Sequence, residues 1–234
     1  MYAKERWDMV NKQLRVRGVS DERVLQSMNS VPRHLFVPSH LVSQAYDDNP
    51  LPIGNSQTIS QPYIVATMAE SALIRSTDKV LEIGTGCGYS AAVLSTLANK
   101  VITCEIIEEL GNSAKQRLAN LKYDNVEVLV EDGSMGFKSN SPFDVIIVTA
   151  GAPTIPIELL YQLNLGGRMI IPVCYTKIHC GSKHQGERLV RLTRMKTENE
   201  TESFQEEHLE DVRFVPLRGK AGWDAVSSIS LGEL

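Results

Sequence analysis

The stretch VLEIGTGCGYS, residues 80–90, decides the fold that this sequence predicts. It is an apolar run that contains Glu82 and continues with Gly84, Gly86 and Gly88 at every second position. Small and apolar residues follow at helical spacing, so the pattern indicates a buried strand, a tight glycine loop and a helix. Glycines carry no side chains that would block a ligand, and the loop offers bare backbone amides beside a helix N-terminus.

The spacing of these glycines separates two classes of nucleotide ligand. A dinucleotide site has the pattern Gly-x-Gly-x-x-Gly, and here Tyr89 stands where that pattern has its third glycine. An NAD-dependent oxidoreductase is therefore disfavoured. The register Glu-x-Gly-x-Gly-x-Gly resembles motif I of the class I S-adenosylmethionine methyltransferases. The resemblance implies S-adenosylmethionine as cofactor, S-adenosylhomocysteine as product, and a cofactor site that includes Glu82, Gly84, Thr85, Gly86 and Gly88.

Two further acidic residues follow predicted strands. Glu105 ends the second strand, where a carboxylate can accept both hydroxyls of a ribose. Asp132 follows a third strand and precedes Gly133, so its carboxylate could accept from an adenine amino group. An ordinary Asp-Gly turn explains the same dipeptide, and the sequence leaves both interpretations open. Ligands of open sheets bind beyond the carboxyl ends of strands, so these residues and the segment 149–152 should share one crevice.

The alternation of strands and helices along the chain predicts an α/β fold. We expect a Rossmann-like, doubly wound, mostly parallel sheet of seven strands, with an antiparallel C-terminal edge and a small helical N-terminal lobe. The further predicted elements are helices at 4–17, 20–28 (capped by Ser20), 106–121 and 154–163, a strand at 168–173 and edge strands at 187–195 and 212–217. The polar residues 196–210 predict a mobile, solvated loop between the edge strands.

The length of 234 residues favours a single domain. We divide it into a helical lobe and loop (1–52), a cofactor-binding core (53–173), and an edge hairpin with a long polar insertion and C-terminal tail (174–234). The net charge of -4 argues against a partner recognised through nucleic-acid phosphates. The sequence shows no apolar run of membrane-spanning length and no signal peptide, so we expect a cytoplasmic protein without membrane partners. We also expect a monomer.

The four cysteines are scattered, which favours reduced thiols over a disulfide framework. Cys174, His179, Cys180 and His184 invite a zinc interpretation, but their spacing fits no structural zinc pattern. We therefore expect no metal site.

The segment QTISQP, residues 57–62, places two hydroxyls just before the glycine-loop strand. Ser60 stands where a helix should begin, with Pro62 in its first turn, so an N-cap explains it structurally. Alternatively, Thr58 and Ser60 lie on one side of an extended turn and could hold a carboxylate. The residues alone favour the cap.

Five segments together resemble the bacterial type of protein-L-isoaspartate (D-aspartate) O-methyltransferase. They are residues 57–62, 81–89, 132–134, 143–150 and 212–217. The resemblance implies that Ser60, with Thr58, is the active-site residue beside the methyl donor. It also implies that a 212–216 strand and the 150–153 loop line a peptide cleft. The substrate contacts expected from it are Ile59, Ala150, Gly151, Val212, Phe214 and Val215.

The chain departs from the family pattern at three places. Ser56 replaces a usual glycine, Glu131 replaces a common glycine before Asp132, and the segment 174–210 is longer than usual. None of these changes a residue that the chemistry requires.

The implied reaction methylates the α-carboxylate of isoaspartyl residues in damaged proteins, and the ester then closes to a succinimide. A carboxylate is already ionised at neutral pH, because its pKa lies near ~4, so alignment and exclusion of water matter more than a general base. Two alternatives stay open: a related O-methyltransferase that acts on aspartate in a peptide natural product, and a non-catalytic adaptor. The intact cofactor residues argue against the adaptor.

Overall fold

The described part of the chain, residues 2–174, 186–196 and 202–224 of the computed structural model, alternates helices with strands. The α-helices are α1 (Ala3–Asp8), α2 (Glu22–Ser30), α3 (Pro62–Ser71), α4 (Tyr89–Ser95), α5 (Glu108–Asn120) and α6 (Ile157–Leu160). The strands are β1 (Leu51–Gly54), β2 (Gln57–Ile59), β3 (Lys79–Ile83), β4 (Lys100–Glu105), β5 (Val126–Val130), β6 (Phe143–Val148), β7 (Leu163–Cys174), β8 (Glu187–Lys196) and β9 (Glu202–Val212).

Seven of the strands form one sheet in the order β5-β4-β3-β6-β7-β8-β9. The first five strands in this order, β5, β4, β3, β6 and β7, run parallel to one another, and β8 is antiparallel to both of its neighbours. Alternate residues of β3 fall into two separate buried clusters, Val80 in one and Leu81 with Ile83 in the other. Both faces of the sheet are therefore covered, as the apolar strands predict. The predicted Rossmann-like fold is confirmed.

The strand order reverses between β3 and β6, where successive connections leave to opposite sides. In open α/β sheets this switch point opens a crevice at the carboxyl ends of the strands. The glycine loop, defined as residues 84–88, follows β3 at this position. β1 and β2 form a separate antiparallel hairpin that leads into α3.

The N-terminal lobe is helical, as predicted, but its helices differ in detail. The first continues from α1 through a π-helical turn (Met9–Leu14) and a 3-10 turn (Arg15–Arg17), and Gly18 ends it with φ 98°. The second is capped by Asp21, whose carboxylate accepts from Arg23 N. The predicted Ser20 cap is therefore wrong, because Asp21 occupies the capping position one residue later. Two further 3-10 turns, Arg33–Leu35 and Ser39–Gln44, lie in the loop part of the predicted helical lobe and loop, 1–52.

The C-terminal edge contains a hairpin, but its second strand lies elsewhere than predicted. β9 occupies Glu202–Val212, most of the segment expected to be a solvated loop, and pairs with β8 along its length. Residues 213–217 form no strand, although Pro216 makes an isolated bridge to Gly151. An edge strand buries little of its surface, so β9 can be polar and acidic, which conceals it from a hydrophobicity pattern.

The predicted helix 154–163 is too long. α6 covers only Ile157–Leu160, and β7 already begins at Leu163, ahead of Gly166 and Gly167. The register of β6 with β7 shifts between Phe143 and Val145, and this irregularity accommodates the two glycines inside the strand. The helix predicted at 106–121 is present as α5.

Cys174 is disulfide-bonded, so the prediction of four reduced thiols is wrong for this residue. Cys87 and Cys104 are buried and free. Scattered positions along a chain do not report which thiols meet in space. Of the four residues weighed as zinc ligands, His179, Cys180 and His184 lie outside the described residues. Within the described ranges, no group of three or more His, Cys, Asp or Glu could hold a metal ion, and no helix is long and apolar enough to cross a bilayer.

Candidate active site

The glycine loop is held against the end of β4 by its own backbone. Gly84 N and Thr85 N both donate to Cys104 O, at 2.8 and 3.2 Å. Gly84, Gly86 and Gly88 have φ of 99°, 54° and 88°, the left-handed region that suits glycine. A Cβ on Gly84 would lie 2.3 Å from Thr149 Oγ1, so no other residue fits there. The loop is therefore a bare backbone cradle that leads into α4.

The carboxylate of Glu105 accepts a hydrogen bond that holds the glycine loop against the end of β4. Its Oε2 accepts from Gly86 N at 2.7 Å, and its Oε1 accepts from Ile107 N at 3.0 Å. Each carboxylate oxygen retains a lone pair for a further donor. The position at the end of β4 is the one expected for a ribose-binding carboxylate.

Glu82 lies behind the glycine loop instead of facing a cavity. Thr103 Oγ1 donates to Glu82 Oε2 at 2.6 Å and lies 2.6 Å from Thr85 Oγ1, so the two hydroxyls join this carboxylate to the loop. Burial raises the pKa of Glu82 to about 7, and the hydroxyls of Ser90 and Thr103 act in the opposite direction. The structure thus gives Glu82 a supporting place in the predicted cofactor site.

A cleft of about 580 Å³, called the first cavity below, opens beside the loop. Its lining includes the predicted residues Thr58, Gly84, Gly86, Glu105, Gly133, Ala150 and Val215. It also includes Thr149, from the segment 149–152 expected there, and residues that the sequence did not single out, among them Ile106, Ser134, Leu217 and Arg218. The crevice predicted at the carboxyl ends of the strands is therefore present.

A second cavity of about 430 Å³ adjoins the first. Its lining is Thr58, Ile59, Ser60, Val65, Met68, Gly84, Thr85, Gly86, Cys87, Tyr89, Ser90 and Thr149. Thr58, Gly84, Gly86 and Thr149 line both cavities, so the two meet at the glycine loop. Of the described residues that line the second cavity, none is a carboxylate, histidine, lysine or arginine. Burial raises the pKa of the Cys87 thiol and of the Tyr89 phenol, which keeps this wall neutral.

Ser60 does not cap α3. The N-cap position is Gln61, and the N–H of Tyr63, in the first turn of the helix, donates to Asp48 Oδ1 at 2.9 Å. Asp48 Oδ2 also accepts from the Gln61 side chain at 2.9 Å. The capping interpretation of Ser60 is therefore wrong, because a carboxylate from the N-terminal lobe already fills that role. Within the described ranges, the hydroxyls of Thr58 and Ser60 have no hydrogen-bond partner.

Asp132 is used locally. Its Oδ1 accepts from Ser134 N and its Oδ2 from Lys220 N, each at 2.9 Å. Burial would raise the pKa of Asp132, but the hydrogen bonds from Ser134 and Lys220 outweigh burial and lower it. The turn interpretation is thus realised, and Asp132 itself does not line the first cavity, whereas Gly133 does.

The predicted peptide-binding segment closes one side of the first cavity. We call residues 215–224 the C-terminal strap. Gly151 N donates to Val215 O and Leu217 N donates to Gly151 O, both at 2.8 Å, and Trp223 Nε1 donates to Gly151 O at 2.9 Å. Val212 is a core residue and Phe214 packs against the core, so these two predicted contacts lie away from the cavity lining.

Thr149, expected at the crevice as part of the segment 149–152, lies with its Oγ1 2.7 Å from Gly84 O and lines both cavities. Sequence reasoning missed two residues of the site. Arg33 and Asp48 contact the Ser60–Tyr63 turn from the N-terminal lobe. Nothing in the local sequence marks them, because their contacts depend on how the lobe packs.

Comparisons with known proteins agree on one family. The model of the protein-L-isoaspartate(D-aspartate) O-methyltransferase family matches residues 4–222. A protein-L-isoaspartate O-methyltransferase from Syntrophus aciditrophicus is 47% identical over 95% of this chain and 97% of its own length. That of Protochlamydia amoebophila is 49% identical over 94% of this chain and 100% of its own.

Solved structures give the same result at lower identity. One protein-L-isoaspartate O-methyltransferase superposes with a TM-score of 0.78 and 28% identity, over 99% of this chain and 70% of the other. A Plasmodium falciparum protein, solved in complex with S-adenosyl-L-homocysteine, superposes with a TM-score of 0.74 and 22% identity, over 91% of this chain and 98% of its own. The latter likeness concerns the fold alone.

Proposed function

Because this chain belongs to the protein-L-isoaspartate(D-aspartate) O-methyltransferase family, we propose that it methylates the free α-carboxylate of isoaspartyl residues in damaged proteins and peptides. The methyl donor is S-adenosylmethionine. The product ester closes to a succinimide, whose hydrolysis returns part of the damage to normal aspartate. The reaction repairs proteins.

The residues around the glycine loop fit this cofactor. The loop presents backbone amides without side chains, and a Cβ at Gly84 would fill the cradle. Glu105 supplies a carboxylate for the ribose, and Ile106, Gly133 and Ser134 line the part of the first cavity beside it, where we place the adenine. When bound, the cofactor supplies an activated methyl group on a sulfonium. The chain contributes binding, orientation and exclusion of water.

One observation supports the catalytic assignment most strongly. Asp48 caps α3, and within the described ranges the hydroxyls of Thr58, which lines both cavities, and of Ser60, which lines the second, have no hydrogen-bond partner. Hydroxyl groups can donate to a carboxylate without protonating it, since their own pKa is far higher. Among the described residues that line the second cavity there is no general base, and an ionised carboxylate needs none. We assign Ser60, with Thr58, to holding the substrate carboxylate in line with the methyl group.

The peptide lies beside Ala150, Gly151 and Val215, where the C-terminal strap meets the β6 loop. We propose that the enzyme is a monomer, which light scattering after gel filtration would test. A cytoplasmic location stays a prediction.

The decisive experiment is transfer of a labelled methyl group to a peptide with isoaspartate and to its twin with aspartate. We expect base-labile methyl ester on the isoaspartyl peptide alone, followed by release of methanol as the succinimide closes. A third peptide with D-aspartate measures whether that stereochemistry is accepted. Equal methylation of the aspartyl twin would favour the natural-product alternative, and no methylation of either would refute the proposal.

A further inference from the structure

Arg33 is wholly buried, with 0% of its surface exposed, and it lies between two walls of the second cavity. Its Nε donates to Ala45 O at 2.9 Å and its Nη2 donates to Ser60 O at 2.8 Å. The guanidinium carbon lies 4.8 Å from the centroid of the Tyr89 ring, at the start of α4. One side chain from the N-terminal lobe therefore joins the Ser60 turn to the helix that follows the glycine loop.

The hydrogen bond from Arg33 holds the carbonyl oxygen of Ser60, a residue that lines the second cavity. Ser60 lies between β2 and the first turn of α3, and its side chain makes no hydrogen bond of its own within the described ranges. The direction of its hydroxyl therefore depends on how its backbone is held. Asp48 holds the helical side of the turn through Tyr63 N, and Arg33 holds Ser60 itself.

Within the part of the chain that the structure describes, no direct ion pair neutralises the charge of Arg33. Among the described residues, the salt bridge of Asp48 is made with Arg17, at 2.6 Å, and none involves Arg33. A guanidinium stays protonated in proteins, and a charge in a low-dielectric interior acts over a longer range than one in water. A fixed cation thus lies within hydrogen-bond distance of the Ser60 carbonyl oxygen.

We propose that Arg33 is a positioning residue for methyl transfer, which sets the direction of the Ser60 hydroxyl toward the substrate carboxylate. The inference rests on the proposed function of this site. Arg33 touches neither substrate nor cofactor and acts through Ser60. A long, forked side chain is required, because only arginine can donate to two separate carbonyls while its guanidinium lies over an aromatic ring.

The test is a double-mutant cycle of Arg33→Lys with Ser60→Ala, measured on an isoaspartyl peptide. Lysine keeps the charge but loses the fork, so we expect kcat to fall about tenfold or more, as expected for a misplaced reacting group. The dissociation constant for S-adenosylhomocysteine should change less than about threefold. In the Ser60→Ala background, Arg33→Lys should lower kcat by less than about threefold, because the hydroxyl that it positions is already gone.

Arg168→Lys is the matched control. Arg168 is also buried, and it donates to Ala72 O and Leu73 O at the opposite end of α3 and pairs with Asp78. Any loss of kcat that this substitution causes should be the same with and without the Ser60 hydroxyl.

Each outcome decides the matter. Additive losses in the Arg33 cycle, with an active wild type, would overturn the inference alone. An inactive wild type would overturn the proposed function and the inference with it. If Arg33→Lys does not fold, Arg33→Gln replaces it, since an amide can still donate to Ser60 O. Failure of both variants to fold would assign Arg33 to the core alone.

Discussion

The hydroxyl of Ser60 is available for chemistry because Asp48 caps α3 and Arg33 holds the Ser60 carbonyl. Its hydroxyl can donate one hydrogen bond to an anionic carboxylate, a contact of about 1.5–3 kcal/mol. Ser60→Ala should therefore lower kcat for an isoaspartyl peptide by about tenfold to a hundredfold. Calorimetry with S-adenosylhomocysteine should show nearly unchanged affinity.

Ser71→Ala is the control, since Ser71 ends the same helix far from both cavities. It should retain full turnover. If Ser60→Ala weakened cofactor binding while turnover of the bound complex stayed normal, the orienting role would be wrong.

Glu82 makes the stability of the fold depend on pH. Burial raises the pKa of Glu82 to about 7 from an ordinary 4.5. Between these values the unfolded chain has lost a proton that the folded protein keeps. The contribution of protonated Glu82 to the free energy of unfolding is fully present below pH 4.5. It is lost as the pH rises through 7, and the total loss is about 3 kcal/mol.

Glutamine at this position cannot titrate. We therefore expect the free energy of unfolding of the wild type, minus that of Glu82→Gln, to fall by about 3 kcal/mol between pH 4.5 and 8. Urea unfolding of both apoproteins at several pH values measures the difference. A constant difference would show that Glu82 is not perturbed in this way.

Individual residues were predictable where chemistry and strand position coincide. Glu105 ends β4 and Gly84 follows β3, and the sequence predicts that the carboxyl ends of these two strands meet at one edge of the sheet. Both residues line the cleft. Ser60 was ambiguous, because a serine before a helix serves equally well as cap or ligand. The ambiguity disappears only when Asp48, distant in the sequence, is seen to cap the helix.

At the scale of elements, the glycine loop is the part that tolerates least change. Gly84→Ala places a Cβ against Thr149 Oγ1 and forces a left-handed φ of 99° on alanine. The strain alone costs about 1–3 kcal/mol, and relief of the clash must displace the loop from its cofactor-binding shape. We expect the dissociation constant for S-adenosylhomocysteine, measured by calorimetry, to rise about tenfold or more.

Gly18→Ala separates strain from clash. Gly18 has an almost identical φ of 98°, and an added Cβ there meets no atom within 4 Å. This variant should lose stability in urea but bind the cofactor product normally. If the Gly84→Ala and Gly18→Ala variants bound S-adenosylhomocysteine equally well, the glycine loop would not be the cofactor-binding cradle.

The elements could be predicted where they are buried and not where they lie at an edge. β3 and β6 are continuous apolar runs, which only a covered sheet explains. β9 carries acids and polar residues because one side of it faces solvent, and its strand character comes from pairing with β8. The helix before β7 was overestimated, because β7 begins at Leu163, five residues before the predicted strand, and includes Gly166 and Gly167.

At the scale of the whole molecule, the C-terminal strap joins the end of the chain to the cleft. Trp223 Nε1 donates to Gly151 O, which also accepts from Leu217 N. Trp223→Phe keeps the ring volume approximately but removes that donor, a hydrogen bond of about 1 kcal/mol. The KM for the isoaspartyl peptide should rise about fivefold, because the strap then holds Val215 less firmly.

Trp7→Phe provides the comparison, since Trp7 is 54% exposed on α1. Steady-state kinetics of this variant should match the wild type. An unchanged peptide KM in Trp223→Phe would mean that the strap does not shape the peptide cleft.

The exposed strand β9 has a consequence for how copies of this protein behave at high concentration. Along its outer side no described strand pairs with it, and it carries Glu206, Glu207, Glu210 and Asp211. A second molecule that tried to extend the sheet there, in an antiparallel or parallel arrangement, would bring rows of like charges together. Repulsion of this kind disfavours edge-to-edge pairing of two copies at β9, so the damaged polypeptides that the enzyme handles meet an acidic strand at this edge of the sheet.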